Sequence, residues 1–186
     1  MELIDILLKR RSVRRFKDDD IKQEDLEKIL EAGLLAPTSR NRKPCNFLIV
    51  ENRQTLEKLA KSKESGAEML AGCNKAIVVV ANTLISDTWI EDSSIALGYM
   101  HLMAASLDVG SCWVQIHLRK TADGKDAEQA VKEITGLDDY FRIVGILALG
   151  MPEGEVKPHE PEDMDKSKIH FLALVLYILI DKNRLY

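Results

Sequence analysis

The chain has 186 residues, of which 46% are apolar and 30% charged, with a formal net charge of −4. That length points to one domain, large enough to bury about 70% of its unfolded-chain surface. The apolar fraction excludes intrinsic disorder, and ten glycines and five prolines exclude collagen-like or low-complexity architecture. Cys45, Cys73 and Cys112 are odd in number, widely spaced and include no C-x-x-C pair. This argues against a disulfide scaffold or zinc site and for a reducing, cytoplasmic compartment. Glu2 and Asp5 stand where a signal peptide would carry positive charge. The longest apolar run, 171–180, is ten residues, about half of what spans a bilayer, so no membrane association is expected.

Leu3, Ile4, Leu7 and Leu8 recur at helical spacing and predict a first helix to about residue 10. Ser12 breaks it, and 12–16 reads as extended. A second helix carries Leu26, Ile29, Leu30 and Leu34 on one inward stripe and is ended by Pro37. Residues 36–44 form a polar loop with two prolines and no periodicity. A strand is predicted over 47–50. Asn52 then caps a short helix with Leu56, Leu59 and Ala60 inward and Lys61 and Lys63 on its solvated face.

The continuous apolar run 76–81 predicts a central strand buried on both faces. The longest helix, 87–107, has almost no polar side, so it is expected to be a core helix with Tyr99 buried, His101 a satisfied core histidine and Asp92 a favourable N-terminal charge. A strand follows at 112–116, in which Trp113 packs in a core or interface. The next helix has Ala127, Ala130, Val131 and Ile134 inward and ends at Gly136. A buried strand over 143–149 and an acidic loop with Pro152, Pro158 and Pro161 lead to the apolar tail. Helices and strands intermix without strict alternation, so the expected class is α+β, a central mixed sheet with helices on both faces. Residues 1–170 form the domain and 171–186 the tail.

Metal and hydrolytic chemistry find no support. His101, His117, His159 and His170 form no H-E-x-x-H pattern, and there is no G-x-S-x-G elbow, Walker loop or Rossmann glycine fingerprint. Cys45 and Cys112 border apolar runs, where cysteine behaves as a small hydrophobe. Charge, however, is unevenly placed. Residues 9–17 hold six bases and no acid, leaving 20 bases against 30 acids elsewhere. A compact basic island in an acidic protein points to an anion-binding pocket more than to a nucleic-acid surface, the alternative being a solvated helix C-terminus. Arg10, Arg11, Ser12 and Arg14 offer guanidinium forks and a hydroxyl suited to a phosphate monoester. Pro37, Thr38, Ser39, Arg40 and Asn41 offer short polar groups on a stiffened backbone, suited to a flat polar heterocycle.

Taken together, these segments resemble the FMN-dependent nitroreductase family. The resemblance rests on Arg10-Arg11-Ser12-Val13-Arg14-Arg15-Phe16 and on 36–44 (Ala-Pro-Thr-Ser-Arg-Asn-Arg-Lys-Pro). It continues through Ala104-Ala105-Ser106-Leu107-Asp108-Val109-Gly110, then Ser111-Cys112-Trp113-Val114-Gln115-Ile116, and ends with Leu147-Ala148-Leu149-Gly150-Met151-Pro152 and Lys157 beyond it. The resemblance implies a homodimer with two FMN sites at its interface, NAD(P)H as co-substrate, and a small electron-poor acceptor such as a nitroaromatic or quinone. It implies that Arg10, Arg11, Ser12 and Arg14, with Lys157 and His159, hold the cofactor from one subunit, and that Pro37, Thr38, Ser39 and Asn41 come from the other. Backbone N–H groups at Gln115 and Ile116 are expected at the flavin edge, with Arg14 as electrostatic support and no catalytic acid–base residue. The chain departs from the family pattern at Lys43, Cys45, His159 and the apolar tail, which is expected to serve as a dimer arm. Readings that remain open are flavin binding without turnover, flavin-based dehalogenation or flavin cleavage, and a phosphoprotein- or RNA-binding domain.

Overall fold

The computed structural model describes residues 2–171. The elements are α1 (Leu3–Lys9), α2 (Gln23–Leu34), β1 (Cys45–Val50), α3 (Arg53–Leu59), β2 (Lys75–Asn82), α4 (Trp89–Ser106), β3 (Gly110–Gln115), α5 (Ala127–Thr135) and β4 (Phe141–Gly150). The strands form a four-stranded sheet in the order β1-β2-β4-β3. Every pairing between these strands is antiparallel. The mixed character expected from the sequence reduces to one isolated parallel bridge between Ser12 and Ser111.

β2 and β4 occupy the middle of the sheet and are covered on both faces. Ala76, Val78 and Val80 point into a core closed by Leu56 and Leu59 of α3 and Val131 of α5. Ile77 and Val79 point the other way, into a core with Leu26 and Ile29 of α2 and Leu97 and Met100 of α4. This explains why β2 reads as an unbroken apolar run rather than an alternating one. The local signals behave as expected. Asn52 accepts the Thr55 N–H to cap α3, and Gly136 ends α5 at a φ of 73°, where a side chain would be strained.

Two expectations need correction. Leu34 is 67% exposed rather than inward, because α2 is in its last turn there and the chain is already leaving the sheet. α4 is not buried all round. Its inner face holds Asp92, Ser93 and His101 as well as apolar residues, while Ile95 is 38% and Tyr99 44% exposed. Those two lie one turn apart on a shared stripe, and the apolar residues Leu3, Ile4 and Leu7 of neighbouring α1 are exposed as well. Apart from Phe171, the expected dimer arm over 171–186 lies outside the described residues.

Candidate functional site

The basic island lies along the open edge of β3. Residues 10–16 leave α1 extended. Ser12 bridges Ser111, and the Val13 N–H donates to the Ser111 carbonyl at 2.9 Å. Phe16 bridges Pro152, and the Lys17 N–H donates to the Met151 carbonyl at 2.9 Å. Gly110 permits this close approach. A Cβ there would stand 2.9 Å from the Gly150 carbonyl oxygen and 3.0 Å from Val13 Cγ1.

An extended run sends alternate side chains to opposite sides, and this divides the cations. Arg10 turns toward α4, where its Nη1 lies 3.0 Å from His101 Nε2. Arg14 Nη1 donates to the Ser12 carbonyl at 3.3 Å. Lys9, Arg11, Val13 and Lys17 instead line a cavity of about 360 Å³ bounded by Asp108 and Met151. Lys9 is paired with Asp108 at 2.7 Å. Arg11 reaches His159 Nδ1 at 3.4 Å, and that nitrogen lies 3.2 Å from Asp163. Lys157 pairs with Glu160 at 3.1 Å.

Further along β3, Ser12, Arg14 and Lys63 gather around Cys112. Burial pushes the Cys112 thiol upward in pKa, while Arg14, a hydrogen bond with Ser12, and Lys63 oppose that rise. Lys63 lies beyond the end of α3, not on a solvated helical face, and its Nζ donates to the Gln115 carbonyl at 3.2 Å. Partial burial lowers the pKa of this ammonium, Arg119 lowers it further, and Glu68 and Cys112 partly offset both. The Gln115 side chain is committed locally, accepting from Trp113 Nε1 at 3.0 Å and donating to the His117 carbonyl at 3.1 Å. Ile116 is buried, and its N–H donates to the Val144 carbonyl at 3.0 Å. The free N–H donor expected at Ile116 is therefore already used; the polar handle here is the Gln115 carbonyl with Lys63.

The second candidate segment is the loop carrying Pro37, Thr38, Ser39 and Asn41. It contains a tight 3₁₀ turn over Ser39–Asn41, and Arg40, Asn41 and Lys43 all have φ between 52° and 54°. Non-glycine residues held there cost about 1–3 kcal/mol each and cluster at ligand clamps. Thr38 organises the turn: its carbonyl accepts the Asn41 N–H at 3.0 Å and its Oγ1 accepts the Lys43 N–H at 3.0 Å. Asp92 anchors it from α4, accepting the Ser39 N–H at 2.9 Å. The Asn41 side chain is exposed.

One chain does not bring the two segments together. Ser39 is tied to Asp92 in the first turn of α4, whereas Arg10 is tied to His101, about two and a half turns or 13 Å further along. Among the described residues, no group of three or more His, Cys, Asp or Glu is placed to hold a metal ion, and no helix is long and apolar enough to cross a membrane. All three cysteines are free thiols, and burial raises the pKa of each, that of Cys73 to about 11.

The family model described as the nitroreductase family matches residues 7–83 and 61–151. A protein of Archaeoglobus fulgidus with the provisional name NADH dehydrogenase/NAD(P)H nitroreductase is 32% identical over 174 residues, covering 91% of this chain and 97% of its own. Among solved structures, an FMN-dependent nitroreductase from Clostridium difficile R20291 superposes with a TM-score of 0.88 at 35% identity, covering 91% of this chain and 98% of that one. A further nitroreductase-named structure from Parabacteroides distasonis has a TM-score of 0.83 at 29% identity, covering 91% and 97%. The chain belongs to the nitroreductase family.

Proposed function

We propose that the protein is an FMN-dependent oxidoreductase that takes hydride equivalents from NAD(P)H and passes them to a small electron-poor acceptor, such as a nitroaromatic or quinone. In this reading it works as a homodimer with a cofactor at each of two interface sites. The observation that carries the reading is the basic segment 10–14 pinned along the open edge of β3 through Ser12 and Val13, with Lys63 at the Gln115 end of the same strand. The similarity to an FMN-dependent nitroreductase supports it.

The donor set fits the cofactor. Arg10 offers a planar fork and Ser12 a hydroxyl, which suit a phosphate monoester. Lys157, Arg11 and His159 bring further basic groups from the 153–160 loop and the far side of the strand. Their partners Glu160 and Asp163 are exposed ion-pair partners worth little in water, so an anion can replace them. At the other end, Lys63 sets an ammonium on the Gln115 carbonyl, and Arg14 lies near Cys112 on the same strand. When bound, FMN supplies the redox chemistry itself, accepting and releasing electron pairs as hydride. The protein's part is to hold it and to place positive charge where negative charge builds on reduction. No acid–base residue of the chain is needed for that.

The loop carrying Pro37, Thr38, Ser39 and Asn41 completes the site from the second subunit. Two features support this. The loop is anchored about 13 Å along α4 from the residue that holds Arg10, and α4 presents Ile95 and Tyr99 to solvent beside the exposed apolar face of α1. An apolar patch of that kind marks an association surface. Residues 1–170 form the cofactor-binding unit, and its three free thiols, two of them buried, suit a reducing cytoplasm.

The test begins with the visible spectrum of the purified protein and of the flavin released on denaturation. A yellow dimer that releases FMN, bleaches anaerobically with NADH or NADPH, and gives parallel double-reciprocal lines is the expected result. A colourless protein that ignores added FMN overturns the reading. Bound FMN that neither nicotinamide reduces would make the protein a flavin binder without turnover.

A further inference from the structure

We infer that His101 is a positioning residue, which from the middle of α4 fixes the Arg10 guanidinium and the Ser111 hydroxyl together and so aims Arg10 at the cofactor phosphate. The inference rests on the FMN reading proposed above and adds a residue to it. His101 is 6% exposed. Its Nε2 lies 3.0 Å from Arg10 Nη1, and its Nδ1 lies 2.5 Å from Ser111 Oγ.

The protonation state follows from donor inventory alone. A guanidinium only donates, so Nε2 must present its lone pair to Arg10. The ring proton then sits on Nδ1 and is donated to Ser111 Oγ. A second proton would remove the acceptor and set two cations in contact in a buried site. Burial first, and the Arg10 charge second, accordingly lower the His101 pKa to about 4. The ring is neutral, in one tautomer, at neutral pH.

That tautomer links three segments. Ser111 holds the extended run by its main chain, through the Ser12 bridge and the Val13 N–H. His101 holds the same Ser111 by its hydroxyl and holds Arg10 by one N–H. The strand's backbone and its leading guanidinium are thus registered against the same point on β3. Only one N–H of the Arg10 fork is spent on His101, and the remaining donors are left for an anion. An apolar residue at 101 would keep the core filled but leave Arg10 with no partner on α4 to select its rotamer.

The experiment titrates flavin-stripped protein with FMN and, separately, with riboflavin, which lacks the phosphate, and follows flavin fluorescence. Wild type is compared with His101→Leu and His101→Gln. Wild type should prefer FMN. In His101→Leu, FMN should bind about tenfold more weakly, the scale of one hydrogen bond to a charged group, with riboflavin affinity changed less than about twofold. His101→Gln, whose Oε1 can accept from Arg10, should recover most of the preference.

Equal weakening toward both flavins in His101→Leu, or unchanged FMN affinity, overturns the inference. Wild type that binds FMN and riboflavin equally well also overturns it, while leaving the cofactor reading intact. Wild type that binds neither removes the cofactor reading itself. Nitrogen-15 NMR of the wild-type ring gives a second readout independent of any variant's folding. A neutral ring protonated at Nδ1 is expected at pH 7, and an imidazolium or a proton on Nε2 refutes it.

Discussion

The carboxylate of Asp92 in α4 accepts the backbone N–H of Ser39 at 2.9 Å, which anchors a loop whose residues Arg40, Asn41 and Lys43 all sit at positive φ. The same carboxylate accepts the hydroxyls of Ser86 at 3.0 Å and Thr88 at 3.2 Å, and it is 2% exposed. Asp92 therefore ties a strained loop to the first turn of α4.

Asp92→Ala should cost about 2–4 kcal/mol, because it strands buried donors as well as losing charged hydrogen bonds. Asp92→Asn, which keeps an acceptor but loses the charge, should fall between. Urea midpoints measure both. Amide exchange at Ser39 should quicken in the alanine variant; an unchanged rate there would mean that the loop holds itself.

Lys63 provides the second prediction. Its ammonium lies 3.2 Å from the Gln115 carbonyl, and in the proposed FMN site its charge would favour the reduced cofactor. It remains largely solvent-screened, so the effect is modest. Lys63→Ala should lower the two-electron midpoint potential by about 20–40 mV, equivalent to about 1–2 kcal/mol. Spectroelectrochemical titration reads this directly. No shift would mean that the ammonium does not reach the ring.

Lys63 also marks the limit of what the sequence disclosed. The strands and long helices are legible because burial patterns apolar residues, as in the helical stripe of α2 facing one core or the unbroken run of β2 buried on both faces. The family is legible because several short motifs, the arginine run and the two-proline loop among them, occur in a fixed order. Lys63 is not, because α3 stops at Leu59 and a helical face projected past that point assigns Lys63 to solvent. Asp92 read as a helix-dipole charge because its partners, Ser39 and Ser86, are separated from it along the chain and meet it only in the fold. Tyr99 read as core for a different reason. An apolar helix face covered by its own chain and one left open for a partner have the same sequence pattern, and in this chain Tyr99 is exposed.

That ambiguity yields a third prediction. If α4 packs against its counterpart in the dimer, Ile95→Glu places an unpaired carboxylate in the buried interface, at a cost of several kcal/mol. The variant should be folded by circular dichroism and monomeric by light scattering. Its FMN affinity should fall at least about tenfold, because each monomer then lacks the partner's loop. An intact dimer in Ile95→Glu would move the interface away from this face of α4.

The last prediction concerns acid stability. The His101 pKa falls to about 4 in the folded protein from an ordinary value near 6.5. Between those values the unfolded chain binds a proton that the native state refuses, so stability declines as pH drops from about 6.5 to about 4. Above that window the ring is neutral in both states and contributes no slope; below it both are protonated and the loss is complete. The full loss is about 3 kcal/mol, of which about 2 should be gone by pH 5. His101→Leu lacks the titrating group, so its unfolding free energy should fall less than that of wild type between pH 7 and pH 5. Taking the difference between the two proteins cancels the carboxylates they share. Identical pH dependence in both would mean that the buried ring is charged, or solvated, in the native state.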